Sequence, residues 1–291
     1  MQKKELVLRG RKLSSDDIDF IKATIDQYWY KGRSYISRKI CQQWDWRQPN
    51  GRLKDRACRV VLLSLEQLGY LCLPPRKKEK NNTNTMIFDN LPEFSTQPLM
   101  GKVGDFCSLR IKMVRRTDNE RLWDYLVHKY HYLGNPGIVG SYLKYMVYVN
   151  NQVSACIGWG AAAWRVKVRE QFIGWSEEQK RQKLHLIVNN VRFLILPWIK
   201  VKYLATKTLA ANIKVLPSDW QNFYGHPIVL LETFVDTSRF TGICYKAGNW
   251  LYVGNTKGIA KRGNSHWHHG QIKAVYLYPL TKDFKECLTD E

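Results

Sequence analysis

Between Pro75 and Lys102 the chain loses its hydrophobic periodicity, and that break decides what the chain can fold into. Lys77-Lys78-Glu79-Lys80-Asn81-Asn82-Thr83-Asn84-Thr85 is polar and low in complexity, and Pro75, Pro92 and Pro98 punctuate the stretch. It reads as a linker with a short anchored piece near Met86-Ile87-Phe88. Ahead of it, apolar residues recur at helical spacing. Behind it, strand-like alternation takes turns with helical runs. The expected organisation is a helical domain over 1–76, a polar linker over 77–104 and an α+β domain over 105–291.

Within the first part, Ser14-Ser15-Asp16-Asp17 is a helix start: a serine hydroxyl accepts from orphan amides, and the acids favour the positive helix end. Ile18, Ile21, Ile25 and Tyr28 share a face, giving a first helix to about Trp29 that Gly32 breaks. A second helix is expected over 34–41, a turn at Pro49-Asn50-Gly51, and a third helix over 53–68. That helix is expected to bury Leu53, Ala57, Val60 or Val61, Leu65 and Leu68. Gly69 stops it, and 70–73 is a strand candidate. Three short helices and a β-piece make a winged helix-turn-helix whose third helix reads a DNA groove. Arg52, Arg56 and Arg59, at i, i+4 and i+7, would lie on its outer face, with Lys77 and Lys78 on adjacent phosphates. The alternative is a small helical bundle with a solvated basic face.

The second part alternates strands and helices. Strands are expected over 108–114, 142–149, 153–160, 191–196, 227–235, 250–253 and 274–278, with the turn Asn150-Asn151 joining the second and third. Helices are expected over 120–129, 167–183 (interrupted at Gly174), 204–213 and 239–248. That order gives an α+β domain around a mixed sheet.

Charge narrows the partners. The 291 residues carry a net charge of +21. Residues 1–80 hold 19 Lys and Arg against 9 Asp and Glu, so roughly a quarter of the chain carries about half of that charge. Such a surface draws polyanions, and DNA is the expected partner. No apolar run approaches the ~20 residues of a membrane span, so no membrane partner is expected. The N-terminus does not read as a signal peptide. The seven cysteines are scattered without a C-x-x-C pair, which fits reduced thiols, no structural zinc and a cytoplasmic setting.

Particular residues carry a family resemblance. The order of elements is similar to that of GNAT-type acyltransferases. His131-Tyr132-Leu133-Gly134 and Thr241-Gly242-Ile243-Cys244-Tyr245-Lys246-Ala247-Gly248-Asn249-Trp250 resemble signatures of GNAT-like phage proteins of the Mom DNA-modification type. The whole chain, including the N-terminal helical unit, resembles the DruA family more closely. The segments 137–145, 155–160, 187–198 and 231–236 support this, the last reading Leu231-Glu232-Thr233-Phe234-Val235-Asp236. The resemblance implies a prokaryotic protein of the Druantia anti-phage system or of a mobile element, with a GNAT-like second domain and other defence or transposition proteins as further partners. One stretch departs from the acyltransferase pattern. Pyrophosphate binding wants glycine-spaced amides at a helix start, and 197–205 holds no glycine. Acetyl-CoA use is therefore disfavoured.

Several constellations are candidates for chemistry. Glu232 and Asp236 fall on one side of a strand by alternation and could face one cleft; with His131 they form a candidate acid–base or metal set, Mg or Mn being the metal. The structural alternative pairs Glu232 with a buried arginine such as Arg192 and lets Asp236 cap the next helix. Tyr245 is the candidate nucleophile or proton donor, or else a core residue with a satisfied hydroxyl. Asn249 reads a base edge or holds a turn. His266-Trp267-His268-His269 sits in a basic insert, 255–271, with Lys257, Lys261 and Arg262; the insert is expected as a flexible loop closing on a nucleic-acid backbone, Trp267 stacking on a base. The leading expectation is a DNA-binding protein. The rivals are an enzyme that cuts, transposes or modifies DNA in the cleft, and a protein-interaction adaptor.

Overall fold

The computed structural model describes residues 6–8, 11–76, 88–262, 265–268 and 270–290, with 259–262 and 265–268 described as backbone alone. The chain divides into two compact units, Met1–Met86 and Ile87–Glu291. Lys77 and Lys78 lie outside the described residues, as do the side chains of Lys261, Arg262 and Trp267. No described helix is long and apolar enough to cross a membrane.

The first unit opens with an antiparallel pair, β1 (Leu6–Leu8) and β2 (Arg11–Leu13). Three helices follow: α1 (Ser15–Gln27), α2 (Arg33–Gln43) and α3 (Asp55–Gln67). Ser14 caps α1 reciprocally. Its hydroxyl accepts from the Asp17 amide at 3.1 Å, and its own amide donates to the Asp17 carboxylate at 3.0 Å. Ile21, Ile25, Ile36, Ile40, Cys58, Val61, Leu62 and Leu65 close the core.

Two expectations for this unit change. The buried face of α3 is Cys58, Val61, Leu62 and Leu65, whereas Leu68 is 56% exposed. The segment 70–73 is not a strand. Leu71 and Leu73 insert into the helical core, the Leu73 amide donates to the Glu66 carboxylate at 2.9 Å, and Pro74-Pro75 bring no amides for a ladder. The β-piece of the described residues precedes the helices, so the expected wing behind α3 is absent from them.

The second unit is a mixed α/β domain. In chain order it holds β3 (Leu99–Lys102), β4 (Leu109–Met113), α4 (Asn119–Tyr130), β5 (Tyr142–Val149) and β6 (Gln152–Ala161). Next come α5 (Lys167–Ile173), α6 (Glu177–Lys183), β7 (Ile187–Ile195), β8 (Ile199–Lys202) and α7 (Leu204–Tyr224). The chain ends with β9 (Leu230–Asp236), α8 (Ile243–Lys246), β10 (Leu251–Asn255), β11 (Ile259–Arg262), β12 (Ser265–His268), β13 (Lys273–Pro279) and α9 (Phe284–Thr289). Seven strands form one sheet in the order β10-β13-β9-β7-β6-β5-β4, antiparallel throughout except for the central β7–β9 pair.

Strand alternation sorts the core onto two faces. Tyr145, Val147, Ile157, Leu231, Val235 and Tyr276 pack with Leu209, Ile213, Leu216 and Trp220 of α7. On the other face, Met146, Cys156 and Leu194 meet Leu122, Trp123 and Leu126 of α4, and Leu230, Val275 and Leu277 meet Ile173, Phe284 and Leu288.

The stretch 88–104, read as linker, belongs to this unit. Phe88 and Phe94 pack on Tyr125, and β3 pairs in parallel with β8. The insert 255–271, read as a flexible loop, contains the antiparallel pair β11–β12.

Candidate functional site

The site arises where the sheet's one parallel pair comes apart. β7 and β9 are in register from Ile187↔Leu230 to Asn190↔Thr233 and no further, although β7 runs on beside β6 and β9 beside β13. A bulge starts the divergence: Gly158 faces Arg192 and Trp159 faces Asn190, leaving Val191 extra. The Asn190 side chain holds the bulge by donating to the carbonyls of Gly158 (3.1 Å) and Arg192 (3.2 Å). Beyond it the strands enclose a cavity of about 800 Å³, within the range of about 300–1,000 Å³ typical of small-ligand sites.

The C-terminal end of α4 supplies His131 and Tyr132 to the cavity wall. His131 Nδ1 accepts the Leu133 amide at 3.2 Å, which leaves Nε2 to carry the proton of the neutral ring. Burial, with the Arg192 charge adding to it, pushes the imidazole down to about 4, so the ring is neutral at pH 7. Half-buried Arg192 donates to the carbonyls of Gly134 (3.1 Å) and Val191 (2.6 Å). The Arg239 guanidinium lies 4.8 Å from the centre of the Tyr132 ring, which also packs on Phe240. Lys273, opposite Asp236 in the β9–β13 register, completes the cationic lining. Asp236 is the carboxylate among the lining residues; hydrogen bonds from the Ser238 hydroxyl (2.6 Å) and amide (3.1 Å), with Lys273 and Arg239 nearby, hold it below the usual range.

Glu232 stands elsewhere. It is fully buried, accepts from Arg169 Nη1 of α5 at 2.7 Å and from the Ala163 amide at 2.9 Å, and does not line the cavity. The expected cleft pair of Glu232 and Asp236 is thus not brought together. Glu232 has the buried arginine of the structural alternative, but it is Arg169, since Arg192 is turned to the cavity. Among the described residues no group of three or more His, Cys, Asp or Glu is placed to share a metal ion.

Tyr245 lines the cavity while its hydroxyl donates to Asn190 Oδ1 at 2.8 Å. Its ring packs against Trp250 and Tyr276, and burial pushes its pKa far up. It therefore braces the bulge through Asn190. Asn249 is exposed, outside the cavity, and holds a left-handed turn with φ 62°. Lys257 is exposed beyond β10.

In the first unit the expected arginine stripe is shorter than a helix face. Arg56 is exposed on α3, but Arg52 lies in the preceding turn, where Gln48 donates to its carbonyl at 2.7 Å. Arg59 is tied to Asp55 at 3.1 Å and to the Ser34 hydroxyl at 3.3 Å. The Arg47–Leu53 bridge closes the turn ahead of the helix, which starts at Asp55.

Sequence reasoning missed Asn189, Asn190, Arg192, Arg239 and Lys273 as cavity residues. The usable signal was the pair Asn189-Asn190 inside an apolar run, since a buried strand admits such side chains only with partners to satisfy them. The glycine-free stretch ahead of α7 contains β8, which pairs in parallel with β3.

The fold and site define a mixed-sheet α/β protein with a cationic cleft at a strand divergence, preceded by a helical unit. The family described as "Druantia protein DruA" matches residues 64–268, and the chain belongs to this DruA family. The match begins within α3 and leaves out α1 and α2, a narrower extent than the sequence resemblance implied. No curated protein matches the chain. Among solved structures, a GNAT-family acetyltransferase from Streptococcus pneumoniae is similar at 12% identity, over 60% of this chain and 100% of that one, with TM-score 0.38. The ribosomal-protein-S18-alanine N-acetyltransferase from Escherichia coli is similar at 11% identity, over 60% and 95%, with TM-score 0.36. The aminoglycoside acetyltransferase AAC(6')-Ib in complex with coenzyme A is similar at 14% identity, over 62% and 98%, with TM-score 0.38.

Proposed function

We propose that this DruA-family chain is a DNA-binding protein of anti-phage defence or of a mobile element, gripping DNA with its basic helical unit and with the cleft between β7 and β9. The observation that carries the reading is the cleft's lining. Arg192, Arg239 and Lys273 converge there against one carboxylate, Asp236, beside the aromatic rings of Tyr132 and Phe240. Cations interleaved with aromatic rings are what a phosphate backbone with exposed bases requires. In the helical unit, exposed Arg52 and Arg56 would meet phosphates, with Lys77 and Lys78 extending the contact.

Binding of a labelled DNA across a salt series tests this. Affinity is expected to fall steeply with salt, and Arg239→Ala with Lys273→Ala should both weaken binding and flatten the log–log slope by about one for each phosphate that is no longer neutralised. An unchanged slope would remove the cleft from the interface. Absence of DNA affinity at physiological salt would favour the adaptor reading.

A further inference from the structure

Asn189 is a buried side chain with an unmet need. It is 8% exposed, it lines the cavity at the end where β7 and β9 are still paired, and its Oδ1 has no hydrogen-bond partner among the described residues. A buried amide oxygen left without a donor costs free energy, so with the Asn189 amide in this orientation the site fits a ligand that brings an N–H. The open end has the opposite chemistry. Lys273 pairs in register with Asp236, four residues along β9 from the Glu232 that pairs with Asn189, a span of about 13 Å along the strand. Arg239 stands beside it. The lining also includes Leu133, Phe240 and Ile243, which are 43%, 48% and 66% exposed and offer a water-accessible apolar surface.

A free phosphate satisfies the cations but presents mainly acceptors to Asn189. An apolar group satisfies neither end. A nucleotide carries a phosphate, a flat apolar base and base-edge N–H groups in that order along its length. Resting on the DNA-binding reading, we infer that the cleft receives one unpaired nucleotide, its phosphate at Arg239 and Lys273, its base over the apolar lining and its edge donating to Asn189 Oδ1. A base inside a duplex is stacked and paired and enters only by flipping out of the stack, which costs least at a bulge, an end or a single-stranded stretch.

The test uses the full chain with two DNAs of equal length, a fully paired duplex and one carrying a single bulged 2-aminopurine. Free dAMP and coenzyme A serve as competitors. The bulged DNA is expected to bind about tenfold or more tightly than the duplex. Its fluorescence should change on binding, and dAMP should reverse that change while coenzyme A does not. Asn189→Leu should erase the preference, so that both DNAs bind alike; Lys273→Ala, near the surface, repeats the test where the core is untouched. Equal affinity for the two DNAs with unchanged fluorescence overturns the inference, while salt-dependent duplex binding would leave the DNA-binding reading standing. Capture of dAMP without any DNA binding overturns the DNA-binding reading and identifies a free nucleotide as the ligand. Displacement by coenzyme A instead of dAMP overturns the nucleotide assignment.

Discussion

At the scale of single residues, Glu232 shows how a carboxylate in a family-resembling motif can be structural. It and Arg169 are both fully buried, and two Arg169 nitrogens, Nε and Nη2, have no hydrogen-bond partner among the described residues. A pair like this contributes little net stability over an apolar pair, but a lone charge in its place is costly. Arg169→Leu is expected to lower stability by about 3–5 kcal/mol, and the double variant with Glu232→Leu to recover most of the loss. Urea denaturation midpoints of the three proteins decide it. No recovery in the double variant would mean that Arg169 acts through other partners, such as the neighbouring Glu170 at 3.7 Å. A folded Glu232→Gln protein that lost a DNA-cleaving activity would instead restore the carboxylate to the chemistry.

At the scale of elements, the helix–sheet junction under the cleft depends on a missing side chain. A Cβ at Gly158 would sit 3.0 Å from the Trp123 ring and 3.2 Å from Arg192 Cβ. The Trp123 indole cannot easily retreat, since its N–H donates to the carbonyls of Tyr145 (3.1 Å) and Ile157 (3.2 Å). Gly158→Ala is therefore expected to destabilise by about 1–3 kcal/mol, read as a lower unfolding temperature; an unchanged temperature would show that α4 shifts freely. Elements held by local signals were legible in the sequence. The strand bounds 142–149 coincide with β5, and the Asn150-Asn151 turn has both residues at positive φ, 47° and 67°. Elements held by distant partners were not. β3 and β8 pair across about a hundred residues, and Glu232 meets an arginine that only the packing of α5 selects. The helix expected over 204–213 runs on as α7 to Tyr224, where Leu216, Trp220 and Tyr224 continue the buried face past Pro217, so packing outweighs one lost backbone bond. The candidate site followed the same rule. His131, Asp236 and Tyr245 were legible as residues, whereas their grouping with Arg192, Arg239 and Lys273 comes from the strand divergence.

At the scale of the whole molecule, positive charge is shared between two units that fold around separate cores, and this has a measurable consequence. If both units engage one DNA, each contributes its own released counterions, and the effects of changing each should add in log affinity. Arg52→Ala with Arg56→Ala removes charge from the helical unit; Arg239→Ala with Lys273→Ala removes it from the cleft. Near-additive weakening in the quadruple variant, with slopes that fall in step, is expected from a two-part grip. If the arginine changes in the helical unit cost nothing while the cleft changes abolish binding, the first unit is not a docking surface and its basic face is simply solvated. If the quadruple variant is no weaker than the cleft variant although the helical variant alone is weak, the first unit grips only DNA already seated in the cleft. That outcome would make unpaired-nucleotide capture the step on which docking of the rest of the chain depends.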